Sequence, residues 1–266
     1  MDKIRGIDSY VKSMSATIQD KCWWVYRIPP DIRTVIDFGC AQGDLGLYLD
    51  RLKTNRFRYI GVDNSDEMLS LARHNHYLHF HKGDSIFCSE LSDVLNQCDP
   101  KKTILVLNSV IHEIFSYMPL SQSNALLSEM FGAGFRFVAI RDMYKHNNGN
   151  IDADMFDIAM RNSQYAWMWD AYNSYIQSEF VPGYMSTEDR IAEFLLKYRY
   201  ENNWEREMKE TYLWGWLPMI EHYYRSGNYR ITYEDNFFIP YIRQRFIEDI
   251  GVQFLFNTHK KVLLEL

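Results

Sequence analysis

TVIDFGCAQGDLGLYL, residues 34–49, decides how this chain reads. Thr34-Val35-Ile36 is a short β-forming run, and Asp37 follows it. The turn Gly39-Cys40-Ala41-Gln42-Gly43 comes next. Beyond it, Leu45, Leu47, Tyr48, Leu49 and Leu52 recur with the spacing of one helix face. The order is therefore strand, glycine-rich turn, helix. Glycine suits a turn where backbone passes close to a ligand, because a Cβ would collide. A helix N-terminus aimed at such a turn attracts electron-rich groups. A nucleotide-like cofactor competes here with a ligand-free strand–helix turn.

The dinucleotide fingerprint G-x-G-x-x-G fits poorly, since Ala41 stands where its second glycine belongs. A second strand, Arg58–Val62, ends in Asp63, 24 positions after Gly39. An acid about 20 residues after the turn suits ribose hydroxyls. A carboxylate can accept from both hydroxyls, which favours an unphosphorylated ribose. Asn64 and Ser65 follow, with Ser65 as the expected N-cap of a helix carrying Met68.

D-x-G-x-A-x-G at 37–43 and GVDNSDEML at 61–69 resemble the first two motifs of class I S-adenosylmethionine-dependent methyltransferases. S-V-I-H-E, I-R-D-M and F-L-L-K-Y-x-Y-x-x-N-W-x-R-E are similar to pieces of bacterial and phage methyltransferase-like proteins of unassigned substrate. Ala41 departs from the middle glycine usual in that family. The resemblance implies an α/β fold: a doubly wound, mostly parallel, seven-stranded Rossmann-like sheet whose last strand is antiparallel. It also implies S-adenosyl-L-methionine as cofactor. Its expected contacts are Asp37, Gly39, Ala41, Gly43, Asp63, Asn64, Met68, Asp84, Ser85 and Asn108. Asp84, in a short strand ending in Gly83-Asp84, would accept from the adenine amine, with Ile86 and Phe87 flanking the ring.

Thr103–Leu107 is fully apolar, as a central parallel strand should be. It leads into Asn108-Ser109-Val110-Ile111-His112-Glu113. Ligands of open α/β sheets bind beyond the carboxyl ends of the strands, so this stretch should face the reacting group. Neither [DN]-P-P-[YF] nor Pro-Cys occurs there, which argues against exocyclic base nitrogens and cytosine carbon-5 as targets. His112 is the candidate general base, with Glu113 or Asp142 orienting it; helix capping is the alternative. Phe135–Ile140 is a further strand, with Arg141 and Asp142 at its carboxyl edge. A divalent-ion site of His112, Glu113 and His146, serving RNA ends, is the competing enzymatic reading, although no metal is expected. A non-catalytic cofactor-binding module is the third. His74, His76, His79 and His81 lack an acid or cysteine partner and read as a solvated helix end.

Residues 1–30 are expected to form a helical arm, with Trp23, Trp24 and Tyr26 covering the cofactor or packing on the sheet. Residues 31–144 with 229–266 form the expected core. Residues 145–228, rich in aromatics, read as a helical insertion over the site, including one amphipathic helix over 194–213. Strand 229–239, helix 240–250 closed by Gly251, and a terminal hairpin of 252–256 with 261–266 complete the expectation.

A length of 266 residues with 47% hydrophobic side chains supports a sizeable core. The net charge of −6 argues against a broadly basic duplex-binding surface, leaving a small molecule or a nucleotide as acceptor. No apolar run reaches about 18 residues, so no membrane span is expected. The polar start and four scattered cysteines suggest a cytoplasmic protein with reduced thiols.

Overall fold

The computed structural model describes residues 17–52, 57–79, 85–146, 151–179, 186–213, 215–253 and 256–266. Residues 1–16 of the arm expected over 1–30, Asp84 with most of its strand, the 147–150 loop and Trp214 lie outside the described residues.

Seven strands form one sheet in the order β3-β2-β1-β4-β5-β7-β6. They are β1 Thr34–Phe38, β2 Arg58–Val62, β3 Ile86–Cys88, β4 Thr103–Asn108, β5 Phe137–Met143, β6 Arg230–Phe237 and β7 His259–Glu265. β1 to β5 pair in parallel, and β7 runs antiparallel between β5 and β6. β4 is buried along its whole length, which explains its unbroken apolar run. The chain reverses order at β1 and β4, so the crevice beyond their carboxyl ends is where this topology places ligands.

Three apolar clusters hold the molecule together. Ile36, Leu105, Val138 and Leu264 point to one sheet face, against Leu127, Phe131, Trp216 and Ile220. Val35, Tyr59, Ile104, Val106 and Leu263 point to the other, against Trp24, Ile28 and Leu45. The alternation along each strand is the pleat. Trp24 is thus a sheet-packing residue, and Tyr26 is exposed. Among the described residues of the arm, Ile18–Lys21 is helical and turns follow.

The third cluster gathers the helices Ala153–Arg161, Ala166–Glu179 and Thr187–Lys197 around Phe156, Trp169, Tyr172 and Phe194. Phe246 of the later helix Pro240–Ile250, together with Val252 and Phe256, joins it. The helix Trp216–Ser226 instead packs on the sheet, with Trp216 Nε1 donating to Met143 O at 2.7 Å. Pro218 sits in its first turn, where the missing N–H costs nothing.

Two expectations need correcting. The 194–213 helix does not run through: it stops at Lys197, a 3₁₀ turn spans Glu201–Asn203, and a helix runs Trp204–Lys209. The break turns Glu207 and Glu210 inward, where both are buried. The terminal hairpin is also different. β7 pairs with β6, which precedes the helix Pro240–Ile250, because Val252 and Phe256 are drawn into the helical cluster.

Candidate active site

The glycine turn is built as its residue types require. Gly39 (φ 75°) and Gly43 (φ 80°) occupy the left-handed region, and Gly43 precedes the helix Asp44–Arg51. A Cβ on Gly39 would lie 2.9 Å from Val110 Cγ2. Ala41 also has positive φ, at 45°, and its N–H donates to Asp63 Oδ2 at 2.8 Å. That bond holds an alanine in a conformation alanine disfavours. Beneath the turn, His76 Nε2 donates to Gly43 O at 2.9 Å and its ring stacks on Tyr59. His76 is therefore a buried prop and not part of a solvated helix end.

Asp63 Oδ1 accepts from Ser65 N at 2.9 Å, and burial pushes its carboxyl above the ordinary value. Both oxygens hold backbone, yet a carboxylate offers about four acceptor positions. Asp63 and Asn64 line a cavity of about 860 Å³, as do Gly39, Ala41, Met68 and Asn108. Gly43 caps the helix without lining it. Asp37 lies apart: its Oδ2 accepts from Tyr59 OH at 2.6 Å, and it borders a smaller cavity of about 30 Å³. Burial pushes the Asp37 carboxyl up to about 6, against the pull of Tyr59 and Lys21. Ser85 does not line the large cavity; Ser89, Glu90 and Leu91 provide that wall. Phe87 packs edge-on against His76 and Tyr59 and does not line the large cavity.

At the other end the cavity reaches a buried set of charges. The β4 end carries the short helix Ile111–Tyr117, and β5 carries Asp142 beside it. Asp142 is fully buried and accepts from His112 N at 3.1 Å, His112 Nδ1 at 2.7 Å and Met143 N at 2.7 Å. His112 Nε2 faces Glu210 Oε2 at 3.6 Å, and the ring meets Tyr212 edge-on. Burial alone would lower the His112 pKa, but Asp142 and Glu210 outweigh it and raise it well above the ordinary value. The imidazolium is favoured there, which is the wrong state for the neutral base that the sequence suggested.

Arg206 bridges Glu113 at 3.2 Å and Glu210 at 2.9 Å. Tyr117 OH donates to Glu210, and Tyr212 OH donates to Glu207. Burial pushes Glu113 and Glu207 each up to about 7. Glu113 keeps 27% of its side chain accessible, whereas Glu210 keeps 2%. Glu113 is thus the reachable carboxylate. Ligand atoms of His112, Glu113 and Glu210 lie within 4.8 Å of one another, a spacing compatible with a divalent ion. His146, the third ligand in the sequence-based metal reading, instead contacts His259 O and Tyr144.

Sequence reasoning missed Arg206, Glu207 and Glu210, which belong to EREMKE at 205–210. Charges interrupting an aromatic-rich segment were the available signal. It also missed Lys21. That lysine is buried, and desolvation, then Arg141, push its ammonium down to about 8.

No family model matches the chain, and no curated protein matches it in sequence. Solved structures do. An O-methyltransferase family protein from Burkholderia thailandensis is 14% identical over 97% of this chain, with a TM-score of 0.52; the chain spans 58% of that protein. A magnesium protoporphyrin IX methyltransferase from Synechocystis with bound S-adenosylhomocysteine is 14% identical over 98% of this chain and 89% of its own, with a TM-score of 0.44. The plantazolicin methyltransferase is 12% identical over 95% of this chain and 83% of its own, with a TM-score of 0.47. At these identities the likeness is one of fold.

Proposed function

We propose that this chain, which has the class I methyltransferase fold, binds S-adenosylmethionine and methylates an oxygen or nitrogen of a small molecule or nucleotide. One observation carries the reading: a single cavity of about 860 Å³ joins the glycine turn and Asp63 to the buried charges around His112 and Glu113. That volume suits a nucleoside-sized ligand with room for a second molecule. The cradle at Gly39, which a Cβ would fill, and the Oδ1 of buried Asn108, which lacks a partner, both fit a ligand there.

Bound S-adenosylmethionine supplies an electrophilic methyl group. Asp63 accepts the ribose hydroxyls, and Asn64 and Met68 flank the nucleoside. At the far end the helices between β5 and β6, with Pro240–Ile250, roof the cavity and exclude water. Glu113 takes the acceptor's proton where one must be lost. His112, clamped between Asp142 and Glu210, acts by positioning, and Arg206 balances the carboxylates. Orientation within this enclosure provides the remaining acceleration. Titration calorimetry with S-adenosylmethionine and S-adenosylhomocysteine tests the reading, followed by a methyl-release screen of small acceptors. Absence of binding by either nucleoside would end it.

A second reading places a divalent ion on His112, Glu113 and Glu210. The Arg206 guanidinium already lies between those carboxylates, which favours the metal-free reading. Calorimetry with magnesium, manganese and zinc separates the two.

A further inference from the structure

At the end of the cavity that holds His112 and Glu113, one carboxylate has no counter-ion. Glu207 is 2% exposed and lines the cavity. Its Oε2 accepts from Tyr212 OH, and it forms no ion pair among the described residues. The cations that act on it are engaged elsewhere. Arg206 Nη2 pairs with Glu113 and Glu210, and its Nε donates to Tyr117 OH at 3.3 Å. Lys197 Nζ pairs with Glu193 at 2.7 Å and donates to Glu210 O. Arg245, also on the lining, donates to Leu195 O at 3.2 Å and lies over the rings of Tyr198 and Phe246. A buried carboxylate without a cation is costly, so it takes a proton or meets an incoming cation. That cost shows in its carboxyl: burial and Glu210 push it up to about 7, against the pull of Tyr212, Arg206 and Lys197.

The helical cluster supplies the rest of this lining, and it is apolar and aromatic. Leu196, Tyr212, Ile239 and Ile242 belong to that cluster and face the cavity. Tyr200 lines it as well, and burial, then Glu207, push its phenol up. A hydrated metal ion wants several oxygen ligands and keeps its water. Glu207 instead offers a single carboxylate among rings and aliphatic side chains. An organic ammonium ion matches that setting, with its charge on the carboxylate and its hydrocarbon body on the rings and aliphatic groups. A nucleotide matches it poorly, because its phosphates would add negative charge beside Glu113, Glu207 and Glu210.

We infer that the methyl acceptor is a small molecule carrying an ammonium group, and that Glu207 binds that group while Leu196, Tyr200, Ile239 and Ile242 pack on the hydrocarbon beside it. This rests on the S-adenosylmethionine reading above and narrows its acceptor from any small molecule or nucleotide to a cationic amine. Glu207 is then a specificity residue. Its task differs from that of Glu113, the reachable carboxylate, which takes a proton.

The test uses protein saturated with S-adenosylhomocysteine and three matched pairs of probes: butylamine with butanol, phenethylamine with phenylethanol, and tryptamine with tryptophol. Calorimetry at pH 8, where the amines are charged and Glu207 is ionised, reads each Kd. At least one amine should bind about 10–100-fold tighter than its alcohol, the range for a hydrogen bond to a charged group. Glu207→Gln keeps the shape and removes the charge, and should cut that preference to about threefold or less. Alcohols that bind as tightly as their amines overturn the inference. So does the absence of binding by every amine at millimolar concentration. A preference that survives in Glu207→Gln overturns it as well. Should that variant fail to fold, Glu207→Met combined with Tyr212→Phe leaves no polar atom unmatched and carries the same expectation and the same refutation. S-adenosylhomocysteine that does not bind the wild type overturns the cofactor reading and this inference together, whereas a missing amine preference in the saturated protein overturns this inference alone.

Discussion

Replacing Asp63 by alanine removes a group with two jobs, and the structure separates their sizes. The carboxylate holds Ala41 N at 2.8 Å and Ser65 N at 2.9 Å. Each is a hydrogen bond to a charged acceptor, worth about 1.5–3 kcal/mol when buried. The site opens on the cavity, so water replaces part of each bond, and a stability loss of about 2–4 kcal/mol is expected. On the proposed reading the remaining lone pairs accept two ribose hydroxyls. Losing those should weaken S-adenosylhomocysteine by a further 1.5–3 kcal/mol, roughly 10–150-fold in Kd. Asp63→Asn helps separate the effects, because it retains one acceptor oxygen for the turn but sets an NH₂ against the other N–H. It should fall between wild type and Asp63→Ala in stability, yet lose nearly as much affinity. Urea melts and calorimetry on the same preparation give both quantities. A folded Asp63→Ala protein that binds S-adenosylhomocysteine within about twofold of wild type would refute the ribose assignment. An unchanged melt would refute the turn-holding role.

Gly39→Val forces a β-branched residue to positive φ and drives its Cβ to within 2.9 Å of Val110, so a folded variant should show no measurable cofactor binding; normal binding by calorimetry would move the ligand elsewhere. Asp37 is held at about 6 by burial, so the folded state binds its proton more tightly than the unfolded chain, and stability falls as pH rises from about 4 to 6. Asp37→Asn should therefore stabilise the ligand-free protein by about 1–3 kcal/mol at pH 8, with the gain vanishing near pH 4; an equal gain at both pH values in urea melts would contradict this. His112→Ala strips the cation from between two buried carboxylates and should cost about 3–5 kcal/mol, so a melt within 1 kcal/mol of wild type would show that the clamp is not holding the site. Once the methyl-release screen yields an acceptor, Glu113→Gln should slow turnover on the order of 10²–10⁴-fold with cofactor affinity intact; near-normal turnover would leave orientation alone as the source of rate.

The sequence by itself determined the sheet and the glycine turn, because both are written in short-range pattern. Thr34–Phe38 and Arg58–Val62 are rich in β-forming residues, and Ile104–Leu107 is apolar throughout, as a buried parallel strand requires. Gly39 and Gly43 declare positive φ by residue type, and Pro240 with Gly251 brackets a helix at both ends. What tertiary structure alone decided are the pairings between distant, individually unremarkable polar residues. The bond that holds Ala41 at its positive φ comes from Asp63, 22 residues away. His76 looked like one of several surface histidines until the chain folded it under Gly43, 33 residues away. Glu210 reaches His112 because the chain breaks after Lys197 and again after Lys209, and no local propensity announces where those breaks aim a side chain. The same holds for Glu207, which lacks a cation only because the fold turns Arg206 to Glu113 and Glu210 and Lys197 to Glu193. Backbone pattern repeats every two or 3.6 residues and can be read along the chain. Electrostatic complementarity depends on separation in space and on burial, and both exist only once the chain has closed on itself.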